Sequence, residues 1–256
     1  MVELKTPGEL QAMREAGRVV ARALQAVAGH AAPGVPVAEL DELAATVIRE
    51  AGAEPAFLGY RPSFAPTPYP AVICVSVNDA IVHGIPGRDR LRDGDLLSVD
   101  CGAYLDGWAG DSAFSITVGT PRPADQALID TTRRALEAGI AAAAPGNRLG
   151  DIGHAIHTVA AGDGCADAVA GDFGGHGIGR RMHEDPPVPN RGRPARGLPL
   201  RPGMTLAIEP MLTPGRGHYQ IDADGWTLRT ADGAHAAHAE HTVAVTDDGP
   251  LVLTAP

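Results

Sequence analysis

The chain has 256 residues, 44% of them apolar, and a formal charge of −10 at neutral pH. That length holds one large domain or two small ones with ample core, and the abundance of Gly and Pro suits a loop-rich globular enzyme. An acidic chain argues against nucleic-acid binding as its main task, because phosphate binding needs a basic face; a local basic patch against ribosomal RNA stays open to it.

The opening residues, MVELKTPGEL, contain no apolar targeting segment, and no run of about 18 apolar residues follows. Cys74, Cys101 and Cys165 form neither a CxxC pair nor an even disulfide framework. A soluble protein of a reducing, cytosolic compartment is the expectation. Taken in chain order, the first element is a helix with a clear start: Thr6 as N-cap, Pro7 at N1 and Glu9 at N3, a capping box. It runs into ALQAVAGHAAPGVPVAEL (23–40), which resembles ALEAGIAAAAPGNRLGDI (135–152). In both copies an amphipathic helix reaches Ala-Pro-Gly and a second helix follows. A strand-rich block comes after each copy, about 68–119 and about 170–253. The coarse order is therefore αα-β twice, with helices from both halves covering one side of an antiparallel sheet.

Within the first strand block, LLSVDCGAYLDGWAGDSAFSITV reads as a hairpin turning on Asp106-Gly107. Pairing Leu105 with Trp108 places Asp100 opposite Ala113 and Asp111 two residues away on the same face, roughly 7–8 Å from Asp100 at the backbone. A solvated strand residue is the plain alternative for Asp100, but its predecessors Leu96, Leu97 and Val99 make an uncompensated carboxylate there costly. In the second block, GDFGGHGIGRRMHEDPP supplies His176 and His183. Its glycines miss the dinucleotide pattern because Arg180 stands where the third Gly belongs, and Pro186-Pro187 forbids a zincin helix. Glycine around His176 instead lets backbone approach a crowded site. Glu209 ends the apolar run MTLAIEPML, and Glu240 opens HAEHTVAV, the start of a last hairpin turning at Asp247-Asp248-Gly249. Glutamates inside apolar strands are rarely buried without a partner. Asp100, Asp111, His176, Glu209 and Glu240 together make the oxygen-rich, nitrogen-poor set that holds two divalent ions. His154 and His157 read as surface or packing groups on a helix, and His235 and His238, in an Ala-rich stretch, rank below the five.

CVSVNDAIVHGIP, VDCGAYLDGWAGDSAFSITVG, GGHGIGRRMHEDPPV, GMTLAIEPML and EHTVAVTDDG, in this order from Cys74 to Leu253, resemble type I methionine aminopeptidase in its compact bacterial form. The spans His183–Glu209 and Glu209–Glu240 leave no room for the long insertion of type II enzymes. The resemblance implies the α/β (α+β) pita-bread fold of creatinase and aminopeptidase, a pseudo-twofold duplication with helices covering a curved antiparallel sheet. It implies one catalytic domain over 1–256 with halves of about 6–120 and 121–253. It implies two divalent ions (Co2+, Mn2+, Fe2+, Zn2+ or Ni2+, the native one unspecified by the sequence), Asp111 and Glu240 bridging them, Asp100 completing one, and His176 with Glu209 the other. His83 and His183 match the non-ligand catalytic histidines that also contact substrate, and Glu209 matches the general base. Tyr60, Tyr69, Cys74 and Trp226 are expected to form the methionine pocket.

The implied activity is removal of the initiator methionine from nascent proteins whose second residue is small. The implied setting is cytoplasmic, near the ribosomal exit tunnel, as a monomer without DNA or membrane partners. An X-Pro aminopeptidase or prolidase shares the fold and ligands but usually carries a further N-terminal domain; a non-catalytic pita-bread binding protein typically loses ligands. The chain departs from the family in its pocket lining: about six extra Pro-rich residues between Tyr60 and Tyr69, Phe57 for a common cysteine, Met182 for a phenylalanine, and Ala239 for an aromatic.

Overall fold

The computed structural model describes residues 2–255 apart from Phe64 and Ala170. Helix α1 spans Pro7–His30, α2 Val37–Glu50, α3 Pro123–Ala142 and α4 Leu149–Gly162. The expected capping box opens α1: the Thr6 hydroxyl accepts the Glu9 N–H, and the Glu9 carboxylate accepts the Thr6 N–H at 2.8 Å. The two helix pairs resemble one another in their backbone. Helices α2 and α4 each have 14 residues. The turn before each carries a glycine at φ +90°, Gly34 and Gly146, a conformation a side chain would strain. Each entry to the second helix also bridges to an extended segment, Pro36 to Arg90 and Arg148 to Pro199. No helix among the described residues is long and apolar enough to cross a membrane.

The main sheet contains Glu54–Pro55 (β1), Ile73–Val77 (β2), Leu96–Leu105 (β3), Trp108–Thr117 (β4), Gly175–Gly177 (β5), Glu184–Val188 (β6), Thr205–Ile208 (β7), Glu240–Thr246 (β8) and Gly249–Val252 (β9). Its order is β1-β3-β4-β8-β7-β5-β6, with β2 also on β3 and β9 also on β8, and every pairing is antiparallel. The β3–β4 hairpin keeps the register read from sequence, Leu105 opposite Trp108. Asp106 (φ 50°) and Gly107 (φ 76°) both turn through positive φ, the geometry that matches strand twist in a two-residue loop. The last hairpin is tighter than expected: Thr246 pairs with Gly249, so Asp247-Asp248 alone makes the turn and Gly249 opens β9.

Side-chain alternation divides the sheet into two faces. Leu97, Val99, Cys101 and Ala103 of β3 pack against Val20, Leu24, Val27, Leu40 and Ile48 of α1 and α2. Leu206 and Ile208 of β7 with Val243 and Val245 of β8 pack against Leu136, Ile152 and Ile156 of α3 and α4. Burying each Val, Leu or Ile among them contributes about 1.5–3 kcal/mol, so the helical layers hold the sheet rigid from one side. Helix α1 lies so close that a Cβ at Gly110 of β4 would meet the Gly17 backbone at 2.8 Å. The opposite face is left for the chemistry-bearing side chains.

Candidate metal centre

Strand register alone brings the five carboxylate and imidazole residues together. Asp100 lies opposite Ala113 across β3–β4, and Glu240 lies opposite the same Ala113 across β4–β8. Asp111, two residues before Ala113, points the same way. Across β8–β7, Thr242 is opposite Ala207, and Ala207 is opposite His176 of β5. Glu240 and Glu209 each stand two residues from that row. All five therefore emerge on the face away from the helices and border one cavity of about 420 Å³.

Local bonds fix the donors. Thr242 clamps Asp111 by accepting its N–H at 3.0 Å and donating to its carbonyl at 2.8 Å. The Ser112 hydroxyl donates to the Glu240 carbonyl at 2.7 Å. His176 Nδ1 donates to the Gly177 carbonyl at 2.9 Å, which sets the tautomer and frees the Nε2 lone pair. That Nε2 lies 3.9 Å from Asp111 Oδ2 and 3.7 Å from Glu209 Oε1. The flanking glycines are there for close strand approach: a Cβ at Gly175 would strike the Ala207 carbonyl, and one at Gly177 the Asp185 carbonyl.

Crowded acids with little water cannot all stay ionised. Burial pushes Asp100 up to about 7, with Glu209 adding to it while His238 opposes. Asp111 and Glu240 are raised well above the usual carboxylate range by burial and then by their acidic neighbours. Glu209 goes the other way: burial raises it, but the imidazoles of His238, His176 and His183 outweigh that and hold it low. Asp100 Oδ1, Asp111 Oδ1 and Glu240 Oε1 are buried without a hydrogen-bond partner. Orphaned, mutually repelling carboxylate oxygens beside a correctly tautomeric imidazole fit divalent cations.

The other expected residues line the same cavity. His183 stacks on Tyr60 at 5.2 Å between centroids and sits 4.1 Å from the His176 ring. His83 directly follows the short strand Ala80–Val82 with φ 59°, a left-handed backbone of the kind concentrated at functional sites, and packs edge-on to Trp226 at 6.1 Å. Burial lowers His83 to about 4; burial, then His176, lowers His183 to about 3. Tyr69 meets Trp226 edge-to-face at 5.0 Å, and burial keeps Cys74 a neutral thiol. The two ends of the Pro-rich segment are tied by Tyr69 N–H to Tyr60 O at 2.8 Å, and Trp226 Nε1 donates to Thr67 O at 3.1 Å.

His154 and His157 are exposed on α4, as expected. His235 pairs with Asp125 at 2.8 Å, away from the carboxylates. His238, ranked below the five, is buried beside the same carboxylates, with Nε2 3.6 Å from Glu209 Oε2 and 3.9 Å from Glu240 Oε2. Its spacing of two from Glu240 was the available signal. Lys5 was also missed as part of the site's frame. Its buried ammonium holds Glu184 at 3.1 Å, and Glu184 accepts the Arg181 N–H, fixing the turn that carries His183.

The sequence matches the model of metallopeptidase family M24 over residues 11–247. It is 53% identical to methionine aminopeptidase 1 of Mycobacterium tuberculosis over 99% of this chain and 95% of that one. The structure superposes on methionine aminopeptidase of Thermotoga maritima with a TM-score of 0.94 and 40% identity, covering 100% of both chains. It shares its fold with prolidase of Pyrococcus furiosus at a TM-score of 0.79 and 21% identity, covering 99% of this chain and 65% of that one. The architecture is thus the pita-bread fold common to both enzyme groups, and the chain belongs to metallopeptidase family M24, among the methionine aminopeptidases of the bacterial type.

Proposed function

We propose that this chain removes the N-terminal methionine from newly made proteins whose second residue is small. The observation that carries the reading is the convergence of the five-residue donor set with an aromatic, thiol-bearing pocket in one cavity. Two divalent ions, of a metal the donor set does not single out, would be held by Asp111 and Glu240 between them, by Asp100 on one, and by His176 with Glu209 on the other. When bound, they supply Lewis-acid polarisation and acidify water at neutral pH. The chain's own groups do the rest. Glu209, held ionised by its imidazole neighbours, takes the proton of the attacking water and passes it to the leaving amine. His183, kept neutral by burial, donates its N–H to the carbonyl oxygen as negative charge develops. His83, also neutral, contacts the scissile amide. Tyr60, Tyr69, Cys74 and Trp226 grip the methionine side chain, with sulfur against ring edges.

Because the substrate is the end of a chain still being made, the reading puts the enzyme in the cytoplasm near the ribosomal exit tunnel, acting as a monomer. The deciding assay measures free methionine released from Met-Ala-Ser beside release of X from X-Pro peptides. Methionine release with X-Pro peptides left intact is the expected result; the reverse overturns the reading in favour of a prolidase-type activity.

A further inference from the structure

His238 faces the same carboxylates as His176, from the other side. Its side chain is 2% exposed, and Nε2 lacks a hydrogen-bond partner. Nε2 lies 3.6 Å from Glu209 Oε2 and 3.9 Å from Glu240 Oε2. These distances match the 3.9 and 3.7 Å from His176 Nε2 to Asp111 Oδ2 and Glu209 Oε1. They are too long for hydrogen bonds. With metal–donor bonds of about 2.0–2.2 Å, however, two donors on one tetrahedral ion stand roughly 3.4 Å apart. Glu209 thus turns one oxygen toward each imidazole. Two three-residue groups have donor atoms within 4.8 Å of one another: Asp111, His176, Glu240 on one side and Glu209, His238, Glu240 on the other.

The backbone at His238 is as firmly set as a ligand position requires. Its N–H donates to Ser115 Oγ at 2.9 Å, and its carbonyl accepts from the same hydroxyl at 2.8 Å. The short strand Ala237–His238 also pairs His238 with Met211. A buried imidazole nitrogen aimed at two carboxylates from beyond hydrogen-bond distance makes a poor packing group, because its desolvation is only partly compensated.

We propose that His238 is a sixth protein donor of the metal centre, supplying an imidazole nitrogen to the ion that Asp100 would complete, between Glu240 and the second oxygen of Glu209, so that each of the two ions has one nitrogen ligand. The proposal rests on the two-ion reading above. A second imidazole biases that ion toward borderline metals such as Co2+, Fe2+ or Zn2+ over Mn2+.

The test is calorimetric titration of metal-free protein with Co2+ alone, on wild type, His238→Gln and His238→Ala. Expected is one uptake step unchanged and the other weakened at least about tenfold in both variants, with the melting temperature of the metal-free proteins little changed. A second measurement needs no variant: in the Co2+-loaded wild type, two solvent-exchangeable, paramagnetically shifted imidazole N–H proton signals are expected, and one in His238→Gln. Two Co2+ bound with unaltered affinities in the variants, or one shifted imidazole in the wild type, overturns the assignment of His238 alone. A wild type that takes up a single Co2+ overturns the two-ion reading and this proposal with it.

Discussion

Glu209 and His183 sit in the same cavity yet answer to different physics, and substitution separates them. Glu209 is held ionised among imidazoles, which suits a group that must accept a proton and return it. Glu209→Gln is nearly isosteric but can do neither. We expect the fold intact by circular dichroism and kcat on Met-Ala-Ser reduced well beyond tenfold; a loss smaller than that, about 1.4 kcal/mol, removes Glu209 as the base. His183 is held by ring contacts, stacked between Tyr60 and His176. Its N–H acts on charge that exists only in the transition state. His183→Ala should therefore lower kcat about 10²–10³-fold, roughly 2.7–4 kcal/mol, with KM and metal content nearly unchanged. An early-melting variant that turns over at the wild-type rate would instead make His183 a packing group beside the Pro-rich segment.

At the scale of elements, the glycines around β5 set how closely three strands can meet. A Cβ at Gly177 would run into the Asp185 backbone carbonyl, which no side-chain rotation relieves. Gly177→Ala should destabilise by about 2–3 kcal/mol and shift His176 with it, whereas Gly8→Ala, with nothing within 4 Å in the first turn of α1, should stay within roughly 1 kcal/mol of wild type. Thermal melts of the pair check the contrast, and equal melting temperatures would refute it. This is also where legibility in the sequence divides. Asp106-Gly107 announced its turn because both positions need positive φ, and period two then fixed Asp100 against Ala113 without any tertiary knowledge. The repeated Pro-Gly helix ends were equally local. His238 was not, because the strand is interrupted at Ala239 between Ala237–His238 and β8, and only pairing with Met211 reveals where the imidazole goes. The neck between Tyr60 and Tyr69 is likewise a loop closure that no turn motif in the sequence encodes.

Across the whole molecule, strands from both ends of the chain meet in one sheet whose free face carries uncompensated acid, and this ties folding stability to both metal and pH. In the metal-free protein Asp100 titrates near about 7 instead of 3.8, and Asp111 and Glu240 are raised in the same direction. A group raised in the folded state binds its proton more tightly there than when unfolded. Its contribution to stability is complete below about pH 4 and is lost as pH rises toward 7. Bound cations keep these carboxylates ionised and compensated, so the loaded protein escapes that loss, while the low values of His83 and His183 act on loaded and metal-free protein in the same sense and largely cancel in the difference. Cations binding only the folded state add about 2.7 kcal/mol at a hundredfold excess over Kd. The gap in melting temperature between Co2+-loaded and chelated protein should therefore be wider at about pH 7.5 than at about pH 5.5. Paired scans at the two pH values measure it directly. A gap that is equal, or wider in acid, would mean that the buried carboxylates are already compensated within the protein and that the strain assigned to this face is absent.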